Sequence, residues 1–197
     1  MPAIISIISI LMRIDKAMLE QVKIRIDEKT IELLKSKIGK TIVKIGYVVE
    51  LSFSVATVII FDDSSALKII NSAIVCGDLG EEYPHFSAEE IKIENDIAYG
   101  DEKYEYYDYN LKIKGYKSIT DYITWSDKDG DSYFDIESGI VAEGEDNKKL
   151  ILFAFDSLAE AIAIYTDSEK FEKDHGIRRY WDIDNKSAKY KRIYKDI

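Results

Sequence analysis

The sequence predicts an α+β fold built on a mainly antiparallel sheet, a meander, with two or three helices. Three observations carry that prediction. Residues 41–76 hold Val/Ile/Phe-rich runs broken by turn residues, the signature of consecutive strands. Two stretches begin with capping residues and stop at glycine, the signature of short helices. No Pro/Gly/Ser-rich linker divides the 197 residues, so one domain, 1–197, is expected.

Taken in order, residues 1–17 open with an apolar run, IISIISIL, in which Ile4, Ile7, Ile8 and Leu11 follow helical spacing. The run is far shorter than the roughly 20 apolar residues that span a bilayer. It lacks the charged start and small-residue cut site of a signal peptide. It reads as an N-terminal extension, a first core element or an oligomer contact. LEQVKIRI alternates and predicts a strand over 19–26. Asp27 can cap a helix through IELLKSKI, closed by Gly39. TIVKIGYVVELSFSVATVIIF predicts two strands, DDSS at 62–65 a turn, and ALKIINSAIV the next strand. CGDLGEEYPHF reads as a loop, and Ser87-Ala-Glu-Glu90 has capping-box spacing for a short helix. KYEYYDYNLKIKGYK alternates as a strand, while SITDYITW fits either state. YFDIESGIVAEG and KKLILFAF predict two strands joined by a turn at EGEDNK. Ser157-Leu-Ala-Glu160 then predicts a helix running to Gly176, with AIAIY competing as a strand. RRYWDI predicts a last strand, followed by a basic C-terminal tail, 185–197.

Composition narrows the function classes. Hydrophobic residues reach 46% and charged residues 32%, enough apolar material for a core, which excludes a disordered chain. Cys76 is the single cysteine, so no disulfide can form within the chain. A reducing, cytoplasmic setting fits that usage, and Cys76 itself reads as a small core residue. The net charge of −10 is uneven: residues 77–147 hold 20 Asp/Glu against 6 Lys, and residues 173–197 hold 8 basic against 4 acidic side chains.

The acidic middle also holds nine of the fourteen tyrosines, densest in DEKYEYYDYN. Tyrosine supplies stiff contact area with a polar tip, and carboxylates around it steer a cationic partner inward. A solvated strand face is the plain alternative, since tyrosine favours strands and acids keep edges soluble. The candidate partner-binding residues are Asp101, Glu102, Tyr104, Glu105, Tyr106, Tyr107, Asp108 and Tyr109.

Other chemistry is weaker. Asp127–Ser138 resembles the calcium loop of an EF-hand, with Asp127, Asp129 and Asp131 at loop positions 1, 3 and 5. It departs at the two diagnostic places, with Ser132 where glycine turns the loop and Ser138 where a bidentate Glu closes it. Acid–lysine triplets such as Glu90-Ile-Lys92 and Asp101-Glu-Lys103 arise by chance among 37 acids. Asp182 and Asp184 fit a solvated face. No nucleophile elbow or glycine-rich phosphate loop occurs. The two histidines have no marked partner: His85 lies near Glu81 and Glu82, and His175 ends a helix, where an imidazolium suits the dipole. No cofactor motif is present. The tail interleaves Lys/Arg with Tyr190 and Tyr194, a mixture used in single-strand nucleic-acid binding. The overall negative charge argues against that partner.

The reading that follows is a non-catalytic inhibitor of immunity-protein or antitoxin type, bacterial and cytoplasmic by analogy of composition. It would present an acidic, tyrosine-rich surface to a basic protein such as a toxin. The alternatives are a metal-dependent enzyme or calcium-binding protein using Asp127–Asp131, and a homo-oligomer in which acidic middle meets basic tail.

Overall fold

A computed structural model describes residues 18–48, 56–76, 81–92, 98–99, 102–126, 128, 130–155, 160–183 and 185–197. At residues 18–20, 48, 98–99 and 102–104 it describes the backbone alone. The apolar start, Asp101, Asp127, Asp129 and residues 156–159 lie outside.

The chain runs β1 (Met18–Ile24), α1 (Glu28–Lys35), β2 (Thr41–Val48), β3 (Ala56–Phe61), β4 (Ala66–Cys76) and β5 (Glu81–Ile91). It continues through β6 (Ala98–Tyr99), β7 (Glu102–Ser126), β8 (Asp131–Gly144), β9 (Lys149–Ala154) and β10 (Ile162–Tyr165). Two helical pieces, α2 (Ser168–His175) and α3 (Ile177–Tyr180), precede the last strand, β11 (Lys189–Asp196). The strands form one sheet in the order β10-β9-β8-β7-β2-β3-β4-β5. β6 and β11 join β7, and β1 pairs with β8 in parallel. All other pairings are antiparallel. The fold is therefore α+β, with a meander from β2 to β5 and two eight-residue helices.

Local signals explain the early elements. Asp27 caps α1 by accepting from the Thr30 N–H at 2.7 Å. The Thr30 hydroxyl in turn accepts from the Ala88 N–H at 2.9 Å, which fixes the helix against β5. Gly39 takes a positive φ of 87°, the conformation that lets the chain turn into β2. The main core gathers Ile42, Ile45, Ile59, Phe61, Leu67, Ile69 and Phe86 from the meander with Leu34, Leu111, Leu150 and Leu152. Lys37 crosses this region buried, bonded to Glu90 at 2.6 Å and lying over the Phe61 ring.

Four expectations give way to tertiary pairing. Ser87–Glu90 is strand, because each residue lies in the β4–β5 ladder. The expected helix start at Ser157 lies outside the described residues, and the helix that is described opens at Ser168, where Asp167 accepts from the Glu169 and Lys170 N–H groups at 2.8 and 3.1 Å. Ile162–Tyr165 pairs with β9 instead, the competing strand. RRYWDI is not a strand, since Ile177–Tyr180 forms a helical turn. The basic tail supplies β11, paired with β7 from Lys117 to Thr124.

That last pairing is anchored by Asp121, fully buried on β7. Its Oδ1 accepts from Arg192 Nε at 2.6 Å. Its Oδ2 accepts from Arg192 Nη2 at 2.7 Å, Trp181 Nε1 at 2.7 Å and Ser138 Oγ at 3.2 Å. Arg192 Nη1 donates to the His175 carbonyl at 2.6 Å, and the guanidinium lies 4.8 Å from the Phe153 centroid. Replacing Asp121 by Ala strands a buried guanidinium, a change expected to cost about 3–5 kcal/mol. Urea unfolding at unchanged slope should show the lowered midpoint. Replacing Glu145, which pairs with Lys112 on the surface at 2.9 Å, should leave the midpoint where it is.

Candidate functional site

The acidic tyrosine segment forms the first half of the 25-residue β7 and pairs with β2. Strand alternation splits the candidate residues between two faces. Glu105 stands opposite Tyr47, and Tyr107 opposite Ile45, on one face. Tyr106 stands opposite Gly46, and Asp108 opposite Lys44, on the other. Glu102 and Tyr104 hold ladder positions, the latter opposite Val48.

The two faces differ in environment. Tyr107 and Tyr109 are half-buried against the main core. Tyr107 meets Tyr47 edge-on at 5.7 Å between centroids, and the Tyr109 hydroxyl donates to the Lys149 carbonyl at 2.9 Å. Burial, with neighbouring phenols, pushes the Tyr107 hydroxyl up to about 12. Burial and the Asp146 carboxylate raise Tyr109 as well. Tyr106 is 37% exposed. Its ring lies flat across Gly46: a Cβ there would come within 2.5 Å of Cε1. Glycine at 46 is thus what lets a large phenol rest on the sheet. Glu105 and Asp108 are exposed on either side of the strand. Lysines intervene, with Lys44 opposite Asp108 and Lys112 bonded to Glu145.

The other candidates separate. Asp131 is exposed at the start of β8, opposite Ser126. Among the described residues no three His, Cys, Asp or Glu side chains gather as a metal-binding group. Glu137, the acid of the EF-hand-like stretch nearest the closing position, is buried and committed elsewhere. It accepts from the Ile26 N–H at 2.8 Å and the Ser118 hydroxyl at 3.2 Å. His85 is half-buried on β5, where its backbone N–H donates to Asn71 Oδ1, and Glu81 accepts from the Tyr83 hydroxyl. Glu90 bonds Lys37 rather than the nearby Lys92. His175 does end α2, and it is buried among Phe153, Phe171, Tyr165 and Tyr180. Cys76 is half-buried against a second core of Val22, Ile24, Tyr83, Ile123, Phe134 and Ile136.

Sequence reasoning missed one surface. β1, β8, β7 and β11 lie side by side, and their core face holds Ile24, Ile136, Asp121 and Arg192 in one row. The adjacent row on the opposite face is Lys23, Asp135, Tyr122 and Lys191. The sequence signal was period-two alternation in four segments, legible as a shared face only once their register is known.

No protein-family model matches the chain, and neither a curated protein nor a solved structure matches it. Among the described residues no helix is long and apolar enough to cross a membrane.

The raised phenols have a consequence for alkaline stability. The folded state holds the Tyr107 and Tyr165 protons above the ordinary value of 10.0, to about 12. Their stabilising contribution is therefore full below pH 10 and is lost as pH rises from there through about 12. Phenolate absorbance during an alkaline titration should show a late-ionising group that Tyr107→Phe diminishes. A titration in which every tyrosine ionises together near its ordinary value would contradict this placement.

Proposed function

We propose that this protein acts without catalysis, by binding a basic protein through the first half of β7. The observation that supports the reading is Tyr106: an exposed ring laid over Gly46, with Asp108 on its face and Glu105 beyond the strand. An aromatic ring held flat by the backbone beneath it loses little freedom when a partner covers it. Asp108 lies on the same face, where it speeds encounter with a cationic surface and repels anionic ones, and Glu105 adds to that field from the opposite face. The partner face is narrower than the eight-residue segment: Tyr107 and Tyr109 support it from the core side rather than offering themselves whole.

A blocker of this kind suits a toxin whose active site is lined with Lys and Arg, as a site acting on phosphates would be. The protein would then be an immunity- or antitoxin-like inhibitor. Its lysines at 44 and 112 limit the acidic field locally, which favours a partner bearing a discrete cationic patch over one that is basic all round.

The test is comparative capture. Wild-type protein and the variant Tyr106→Ala/Glu105→Lys/Asp108→Lys are immobilised and challenged with lysate of the source cells. A basic protein retained by wild type, released by salt and lost by the variant supports the reading. The purified partner should then bind the single variant Tyr106→Ala about thirtyfold more weakly, the loss of a hot spot worth about 2 kcal/mol. Identical retention by wild type and variant would refute it.

A further inference from the structure

We propose that the outer face of the four strands β1, β8, β7 and β11 binds single-stranded nucleic acid, with Tyr122 and Tyr133 meeting bases and the flanking lysines meeting phosphates.

The face is defined by register. Lys23, Asp135, Tyr122 and Lys191 lie opposite one another in a row across the four strands. Gln21, Tyr133, Thr124 and Lys189 form the next row. Residues directly opposite on paired strands share a face. The other side of the same strands is core, with Val22, Phe134 and Ile123 packed together there. Lys23, Lys189 and Lys191 are exposed, and Tyr122, Tyr133 and Arg25 are half-buried. Lys195 lies on the same side, its Nζ 5.0 Å from the Tyr122 centroid.

Three features of this face converge on one ligand chemistry. First, it is locally basic on a chain whose net charge is −10. Two strand spacings separate β8 from β11 and one separates it from β1, so Lys23 and Lys191 stand roughly 14 Å apart. One phosphate cannot bridge them, whereas a chain of phosphates can. Second, the two phenols lie between the cations, offering ring surface for stacking. Third, the carboxylate in the middle of the face is neutralised: Asp135 is 6% exposed, and Arg25 bonds its Oδ2 and its carbonyl. The acid nearest the two phenols therefore repels phosphates little. Only unstacked, unpaired bases can present their ring faces to the tyrosines, which favours a single strand over duplex.

Register also corrects the simpler reading of the tail. Its lysines do not act with Tyr190 and Tyr194, which point the other way. Tyr190 packs against the second core, and the Tyr194 hydroxyl bonds Glu172. The lysines acquire Tyr122 and Tyr133 instead, by pairing with β7 and its neighbour β8.

Fluorescence anisotropy of labelled single-stranded DNA and RNA of mixed sequence, titrated with the full chain at low salt, tests this. Saturable binding should weaken with salt at a log–log slope of roughly −2 to −3, the release expected for three or four phosphates. The exposed charge reversal Lys23→Glu/Lys191→Glu should weaken binding at least about tenfold, and Tyr122→Ala about tenfold through lost stacking. The matching reversal Lys170→Glu/Lys173→Glu on α2 should leave it within about twofold. Absence of binding, equal loss in both double variants, or equal affinity for duplex of the same sequence would overturn the proposal. So would light scattering that shows a dimer dissolved by Lys23→Glu/Lys191→Glu in a protein that ignores the oligonucleotide. In that case the face receives a second copy.

Discussion

One desolvated ion pair, Asp121 with Arg192, holds together parts of the chain that no local signal joins. Asp121 sits mid-strand on β7 and Arg192 mid-strand on β11, and their partners come from β8, the end of α2 and the segment after α3. Burying both charges costs several kcal/mol of hydration each, which only near-complete hydrogen bonding repays. Here the geometry meets that condition. Two parallel contacts join the fork to the carboxylate, and Trp181 and Ser138 fill further acceptor positions. The guanidinium also rests on the rings of Phe153 and Phe171. A slip of β11 by one residue would bury Lys191 or Ile193 against Asp121 and expose Arg192. The pair therefore sets register more than it adds stability, and both faces of the four-stranded region depend on that register.

β7 is the second constraint. It is long enough to serve two partnerships along one edge, with β2 on its first half and β11 on its second. The change occurs around Gly115, where the register with β8 shifts. A bulge of this kind bends and re-aims a strand without ending it. Beyond it, even-numbered positions such as Tyr122 and Thr124 reach the outer face, and odd ones such as Asp121 and Ile123 reach the core. Before it, the odd positions Tyr107, Tyr109 and Leu111 face the main core; beyond it the even Tyr116 does so, and the odd Ile123 packs against the second core. One continuous strand thus contributes phenols to two separate surfaces.

The elements legible in the sequence were those set by neighbours along the chain. Asp27 capped the expected helix, Asp62–Ser65 turned, and the Val/Ile/Phe richness of β2 to β4 marked them as strands. What failed were local signals overruled by distant partners. Ser87 has helix-capping spacing with Glu90, yet the β4 ladder claims both. Ile162 and Ile164 sit in a run of good helix formers, yet β9 gains more by pairing with them than an isolated turn gains by forming. β11 was hidden because its alternation mixes Lys with Tyr and Arg, a pattern that reads as polar until Arg192 finds Asp121. The candidate site was legible in content and not in layout: Tyr106 and Tyr107 are sequence neighbours on opposite faces.

The same distinction governs the charge. Summed along the chain, residues 77–147 are strongly acidic and the C-terminal stretch is basic. A partner does not meet a segment, however; it meets a face. Asp121, Asp135 and Glu137 count toward the acidic total, yet all three are buried and bonded inside the protein. Removing them from the outer field leaves Lys23, Lys189 and Lys191 as the exposed cations of the β1–β8–β7–β11 surface, against the exposed Asp131 at the start of β8. At the other end of β7, Asp108 remains at the surface on the face of Tyr106, and Glu105 on the opposite face. A net charge of −10 therefore describes the long-range field, which screens out within about 10 Å at ordinary salt. At contact distance the protein offers one acidic and one basic phenolic surface, and strand parity, not composition, decides which side chains belong to each.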